Sequence, residues 1–233
     1  MAPETSGGKG RDFPQIAAVY DGWYRDGKGR RAAELENELF RKLIRPAAGL
    51  KILEIGCGTG HNLAYFDFLG LAATGIELSP QMLRVAFTKL PPCSRLIQGD
   101  ARRLPFADNS FDIVALITTL EFVTDPPQVI AEAVRVCHGS LYLGVLNRTS
   151  ALGIQRRIKA RLRKSIYQRA RFYTIGELKD MLYRVTGKVN VYWESTLVLP
   201  LAWQGCMAGI ERTLSFKQNR FGGFLGLRID CRR

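Results

Sequence analysis

The sequence predicts an α/β fold, with strands and helices alternating around a doubly wound, mostly parallel sheet. Three observations carry that expectation. The apolar run Leu50, Ile52, Leu53 and Ile55 ends in the glycine turn Gly56-Cys57-Gly58-Thr59-Gly60, and a helix-like segment with Leu63, Ala64, Phe66 and Phe68 follows at once. Strand-like and helix-like patterns then alternate through the first two thirds of the chain, as parallel strands joined by right-handed crossovers require. The polar and glycine-containing motifs, among them Glu77 and Asp100, fall at strand exits, the edge at which a parallel sheet binds ligands.

Residues 1–12 are Gly-rich and polar and read as a disordered start. The segment 13–45 reads as helical, with Leu35, Leu39 and Leu43 four apart on one face, and Pro46 marks its end. Strands are expected at about 51–56, 72–77, 95–99, 111–117 and 140–146, with helices near 60–69, 80–90 and 127–137. A helix from Thr174 through Leu182 leads to a sixth strand at 188–193, and 224–230 supplies the seventh. The expected organisation is one domain over 13–233, with an N-terminal helical cap at 13–45 and a basic amphipathic insertion at 148–173.

The length of 233 residues suits one full α/β domain, and 46% hydrophobic content suits a soluble globular chain. The N-terminus lacks the basic-then-apolar pattern of a secretory signal. No segment offers the roughly eighteen uninterrupted apolar residues that a spanning helix needs. Leu197 to Ile210 comes nearest, but Trp203-Gln204-Gly205-Cys206 interrupts it. The expected location is therefore cytoplasmic. The five cysteines at 57, 93, 137, 206 and 231 include no C-x-x-C pair, and His61 and His138 are the only histidines. Neither a disulfide framework nor a metal site is indicated. His138 reads as structural, because it lies at the opposite edge of the sheet. Cys57 reads as a small filler between two glycines rather than a nucleophile.

Glycines at 56, 58 and 60 remove Cβ atoms where a ligand lies against the main chain, and the following helix presents free N–H groups and a positive dipole end. The dehydrogenase fingerprint has the same beginning, but here the third glycine comes one residue early and His61 stands where a small residue is required. That spacing disfavours NAD. An acid followed by G-x-G-x-G resembles the first motif of the class I S-adenosylmethionine-dependent methyltransferases. Ala73-Thr74-Gly75-Ile76-Glu77, Gln98-Gly99-Asp100-Ala101 and Leu104 to Val114 resemble its next motifs in order and spacing. Val19-Tyr20-Asp21-Gly22-Trp23-Tyr24 resembles the N-terminal cap of the family's ubiquinone- and menaquinone-biosynthesis-like members.

The resemblance implies a Rossmann-like seven-stranded sheet with an antiparallel last strand, S-adenosyl-L-methionine as cofactor and S-adenosyl-L-homocysteine as product. It also implies roles. Glu77 accepts both ribose hydroxyls, and Asp100 accepts the adenine amino hydrogen while Ala101 offers its backbone N–H. Leu78 and Met82 pack on the adenine, and Glu54 orients the turn and helps to hold the methionine amine. Gly56, Cys57, Gly58 and Gly60 form the turn, Thr118 and Thr119 touch the methionine portion, and Tyr20 and Tyr24 reach it from the cap. Methyl transfer needs mainly proximity and water exclusion, and a general base is optional. Glu121 and His61 are the candidates for that base. Arg135 to Gly139 departs from the family's proline and two glycines before the fifth strand, which puts that loop's geometry in question.

A net charge of +13 asks for an anionic partner. From Arg148 to Arg171 no acid interrupts nine basic residues, and Ile154, Ile158, Leu162 and Ile166 recur every four positions. A basic amphipathic helix of this kind suits an anionic membrane surface, through residues 154–171, or a lid over an apolar acceptor. A helix with a merely solvated basic face is the plainer alternative. RNA fits less well, since the fourth-strand motif Thr118-Thr119-Leu120-Glu121 differs from those of base methyltransferases and aromatics are sparse in the basic stretch. The expected acceptor is small and apolar or lipid-like. An RNA methyltransferase and a cofactor-binding scaffold without turnover are the rival readings.

Overall fold

The computed structural model describes residues 21–23, 26–91, 94–162, 166–187, 189–201, 203 and 206–231. Residues 1–12, Tyr20, Tyr24 and Cys93 lie outside them. A helical turn at 21–23 precedes α1 (Gly27–Ile44), followed by β1 (Lys51–Ile55), α2 (His61–Phe68), β2 (Ala72–Glu77), α3 (Pro80–Lys89), β3 (Arg95–Gln98) and β4 (Phe111–Ile117). Then come α4 (Pro126–Val136), β5 (Cys137–Leu146), α5 (Ala151–Leu162), a 3₁₀ turn (Ile166–Gln168), α6 (Ile175–Thr186), β6 (Val191–Thr196), α7 (Ala208–Leu214) and β7 (Phe224–Asp230).

The seven strands lie in the order β3-β2-β1-β4-β5-β7-β6, and β7 runs antiparallel to both neighbours. The order reverses between β1 and β4, so a crevice opens beyond their carboxyl ends, where doubly wound sheets take ligands. Residues 52 to 55 of β1 are all buried, as a strand covered on both faces must be. One face carries α1 and α2 through Leu35, Leu39, Phe40, Leu63 and Phe66. The other carries α4 and α6 through Val129, Ile130, Ala133, Leu178 and Leu182.

Helix starts follow local chemistry. Ser79 accepts from the Met82 N–H ahead of Pro80, and Thr174 and Glu177 form a reciprocal capping box on α6. Three expectations need adjusting. The sixth strand is displaced to 191–196, in register with β7 from Val191 opposite Ile229 to Thr196 opposite Phe224, because that register buries Trp193 and Ser195. α7 was not anticipated; its Glu211 is wholly buried and accepts the N–H groups of Val198 and Leu199 at 2.9 and 2.7 Å. The departure at 135–139 removes the loop altogether, since α4 runs straight into β5. A Cβ on Gly139 would lie 2.1 Å from the Asp112 carbonyl oxygen, beside the irregularity between Phe111 and Ile113. Only glycine fits that close approach. His138 bridges there to Asp112 at 2.9 Å, at the edge opposite the glycine turn.

Candidate cofactor and acceptor site

The turn after β1 is built from left-handed backbone. Gly56, Gly58 and Gly60 have φ of +75°, +53° and +78°, a region costly for other L-residues. At Gly56 a Cβ would also lie 2.4 Å from Thr119 Cγ2. The N–H groups of Gly56 and Cys57 donate to the Ile76 carbonyl at 2.7 and 3.1 Å, which fastens the turn to β2. Gly60 precedes α2, so the helix's unpaired N–H groups face the turn.

Glu77 closes the turn from the side. Its Oε2 accepts the Gly58 N–H at 3.0 Å and its Oε1 accepts the Ser79 N–H at 2.9 Å. Each oxygen keeps a further acceptor site, so the carboxylate is pre-oriented for a vicinal diol. Beneath it Glu54 is 1% exposed; Oε1 accepts from Asn62 Nδ2 at 2.7 Å, while Oε2 accepts nothing among the described residues. Burial pushes this carboxyl up to about 8, the Asn62 hydrogen bond pulls it down, and Glu77 pushes it further up. A buried acid with an orphaned oxygen is costly unless a cation or donor arrives. An ammonium group fits there.

At the far end Asp100 is held by Arg102, whose Nη2 and Nε donate at 2.6 and 3.1 Å, and those bonds keep the carboxyl below its usual value. An oxygen already paired with a guanidinium retains acceptor capacity but is less exclusively available to an adenine. Ala101 is half-buried against the core, Met82 is half-buried, and Leu78 is largely exposed. Leu78 thus presents its side chain outward rather than into the core. Thr119 is buried and its hydroxyl donates to the Ile55 carbonyl at 2.9 Å, which joins β1 to β4 from inside. That hydroxyl spends its proton on the protein and keeps acceptor capacity, so a ligand contact at Thr119 would use its lone pairs or its backbone carbonyl. Thr118, at φ +50°, is half-buried beside it.

Cys57 packs against the Cβ-less Gly75, and burial, with Glu54 and Glu77 nearby, pushes its thiol far up. It stays a thiol, as the filler reading expects. His61 opens α2; burial holds it down at about 4, with Lys89 lowering it further and Asp21 opposing. A proton taken there would be weakly held. Glu121 is 2% exposed, accepts the Leu146 N–H at 2.6 Å through Oε1, and leaves Oε2 without a partner among the described residues. Burial pushes it up to about 8, so at neutral pH it keeps its proton. One contact escaped sequence reasoning: Asp21 accepts from the buried Thr59 hydroxyl at 3.2 Å and pairs with Lys89. The cap segment therefore touches the glycine turn through its acid, and Asp21 stands inside the motif that was singled out for its aromatics.

Two cavities, of about 430 and 740 Å³, open at the amino edge beside Asp112 and His138. They lie away from the strand exits and contain neither orphaned acid. Fold and site together suit a nucleoside-type cofactor with an amine, because a carboxylate with spare acceptor sites, a buried acid with an unpartnered oxygen and a Cβ-free turn lie together at the switch point. Residues 53–142 match the family model described as a methyltransferase domain. The chain belongs to this family and is an S-adenosylmethionine-dependent methyltransferase.

An uncharacterized protein of Methanocaldococcus jannaschii is 30% identical over 172 residues, 73% of this chain and 78% of that protein. A phosphatidylethanolamine N-methyltransferase of Cereibacter sphaeroides is 40% identical over 96 residues, 39% of this chain and 47% of that one. A demethylmenaquinone methyltransferase of Tropheryma whipplei is 32% identical over 134 residues, 53% and 52% respectively. This chain thus spans about half the length of these two named relatives. In fold it matches the crystal structure of a SAM-dependent methyltransferase, possible histamine N-methyltransferase, from Thermotoga maritima. The TM-score is 0.74 at 24% identity, with 94% of this chain and 98% of that one covered.

Proposed function

We propose that the acceptor is a small apolar or lipid-like molecule, methylated at an anionic membrane surface. The observation that carries this reading is the outer face of α5. Ile154, Ile158 and Leu162 are 47%, 52% and 77% exposed, and Arg157, Lys159 and Arg161 are exposed around them. Phe122, which follows β4, and Phe221, which precedes β7, are also exposed near the same edge of the sheet. An apolar stripe flanked by cations suits lipid acyl chains and anionic headgroups. Among the described residues no helix is long and apolar enough to cross a membrane, so contact through α5 would be peripheral. The names of two relatives, which give phosphatidylethanolamine and demethylmenaquinone as acceptors, support the same class.

When bound, S-adenosylmethionine supplies a methyl group already activated on a sulfonium. The chain's part is to align and to exclude water. Glu77 and Glu54 fix the cofactor's two polar ends, and the glycine turn lets it lie against the backbone. Glu121 enters this reading as a hydrogen-bonding group and His61 as a neutral neighbour of the turn, without a base. The test is to incubate the protein with methyl-labelled S-adenosylmethionine and extract of its source cells, then partition the label. Label in the organic fraction is expected, reduced at least several-fold by Ile158→Asp. Label in RNA, falling steeply with salt, would overturn the reading in favour of a nucleic-acid acceptor. No label despite cofactor binding would point to a scaffold.

A further inference from the structure

Glu54 is buried to within 1% at the end of β1, and among the described residues a single side chain donates to it. Asn62 Nδ2 reaches Oε1 at 2.7 Å, while Oε2 is left without a partner. The two residues belong to different elements, because Asn62 is the second residue of α2 and the glycine turn at 56–60 folds it back over the strand. The contact therefore exists only when the turn is formed.

A residue so early in a helix could instead serve the helix's own unpaired N–H groups. Here it does not. The cap position is Gly60, which offers no side chain, and the Asn62 amide makes no other hydrogen bond among the described residues. Its whole printed polar contact goes to the acid. A glutamate carboxyl turns freely about its last torsion, so a donor fixed on a helix decides which oxygen stays open. With Oε1 tied to Asn62, the open oxygen is Oε2. A hydrogen bond to a carboxylate is also stronger than one to the neutral acid, so the same contact favours the charged form that an ammonium needs. Glu77 of β2 and the Cys57 thiol are the titratable groups acting alongside, and burial and Glu77 push Glu54 the other way.

We propose that Asn62 is a positioning residue for the cofactor, its amide holding Glu54 Oε1 so that Oε2 is presented to the ammonium of the methionine part. The proposal rests on the reading of Glu54 as the partner of that amine and is independent of the methyl acceptor.

The test is calorimetry with two probes, S-adenosylhomocysteine and methylthioadenosine, which carries the nucleoside and the sulfur without the amine. Parent, Asn62→Leu, Asn62→Ala, Glu54→Gln and the Asn62→Leu/Glu54→Gln double variant are compared. Asn62→Leu is expected to weaken S-adenosylhomocysteine about tenfold near neutrality, the scale of one hydrogen bond to a charged group. The pH below which affinity falls should move upward by about one unit, since the donor that favours the ionised acid is gone. Methylthioadenosine binding should be unchanged, and in the Glu54→Gln background Asn62→Leu should matter less than about twofold. Asn62→Ala removes the same donor with a strong helix former, so it stays informative if Asn62→Leu does not fold.

Equal loss for both probes, or equal loss with and without Glu54, would make Asn62 a structural part of the turn and overturn the proposal. Unchanged affinity and pH profile in both Asn62 variants, with Glu54→Gln still weakening the product, would overturn it too while leaving Glu54 with the amine. If Glu54→Gln itself changes nothing, the reading of Glu54 fails and the proposal falls with it.

Discussion

Glu77→Ala is expected to weaken binding of S-adenosylhomocysteine about ten- to a hundredfold, corresponding to roughly 1.5–3 kcal/mol for hydrogen bonds to a charged group. Two losses combine. The diol loses its acceptor, and the Gly58 and Ser79 N–H groups lose the carboxylate that holds the turn in shape. Because Glu77 is only half-buried, its removal leaves no large cavity, and the variant should unfold at a temperature close to that of the parent. Titration calorimetry on the folded variant measures the effect. An unchanged dissociation constant would remove Glu77 from the site.

Acidification is expected to produce the second large effect, through Glu54. The ammonium of the cofactor's methionine part pairs with an ionised carboxylate, and burial holds Glu54 at about 8. Affinity should therefore fall as pH drops below 8, by up to about tenfold per pH unit if only the ionised form binds. Below pH 8, binding should release a proton. Glu54→Gln should flatten this profile while weakening affinity at pH 8.5.

For the cofactor-free protein the sign is opposite. A carboxyl raised from 4.5 to about 8 favours the folded state fully below pH 4.5, and that contribution is lost as pH climbs to 8. Glu36 and Glu121, raised to about 7 and about 8, act in the same direction. The unfolding temperature of the free protein should thus decline from these groups between pH 5 and 8, while bound product offsets the part due to Glu54. A flat affinity profile across pH 6–8.5 would show that Glu54 does not meet the amine.

The local parts of the site were legible because chain-neighbour chemistry determines them. A buried strand, three positive-φ glycines and a helix start are contiguous, so the turn could be read from residues 50–68, and Glu77 from its place at the end of β2. Contacts between distant segments were not legible. The hydrogen bond of the Thr119 hydroxyl is one of them, because the sequence does not show that β1 presents the Ile55 carbonyl within 2.9 Å of it. Asp21 was overshadowed by its aromatic neighbours, since nothing local announces that Thr59 and Lys89 come to meet it.

The buried polar side chains Tyr142 and Arg156, and the acid Glu36 of α1, were the least visible. Glu36 reads as one more charge on an amphipathic helix, Tyr142 as an aromatic in an apolar strand, and Arg156 as one of many cations in a basic run. Only the packing of α1 over β5, and of α5 against the 3₁₀ turn, separates them from their neighbours. The stripe on α5 was visible as a period of four, but its exposure depends on what the helix packs against.

A structure of the protein with S-adenosylhomocysteine tests the central claim most directly. Both ribose hydroxyls should lie within hydrogen-bonding range of Glu77, about 2.5–3.0 Å, and the amine should meet Glu54 Oε2 above the turn at Gly56, Gly58 and Gly60. Product bound at any other edge of the sheet, or an amine turned away from Glu54, would contradict the assignment of these residues to the cofactor.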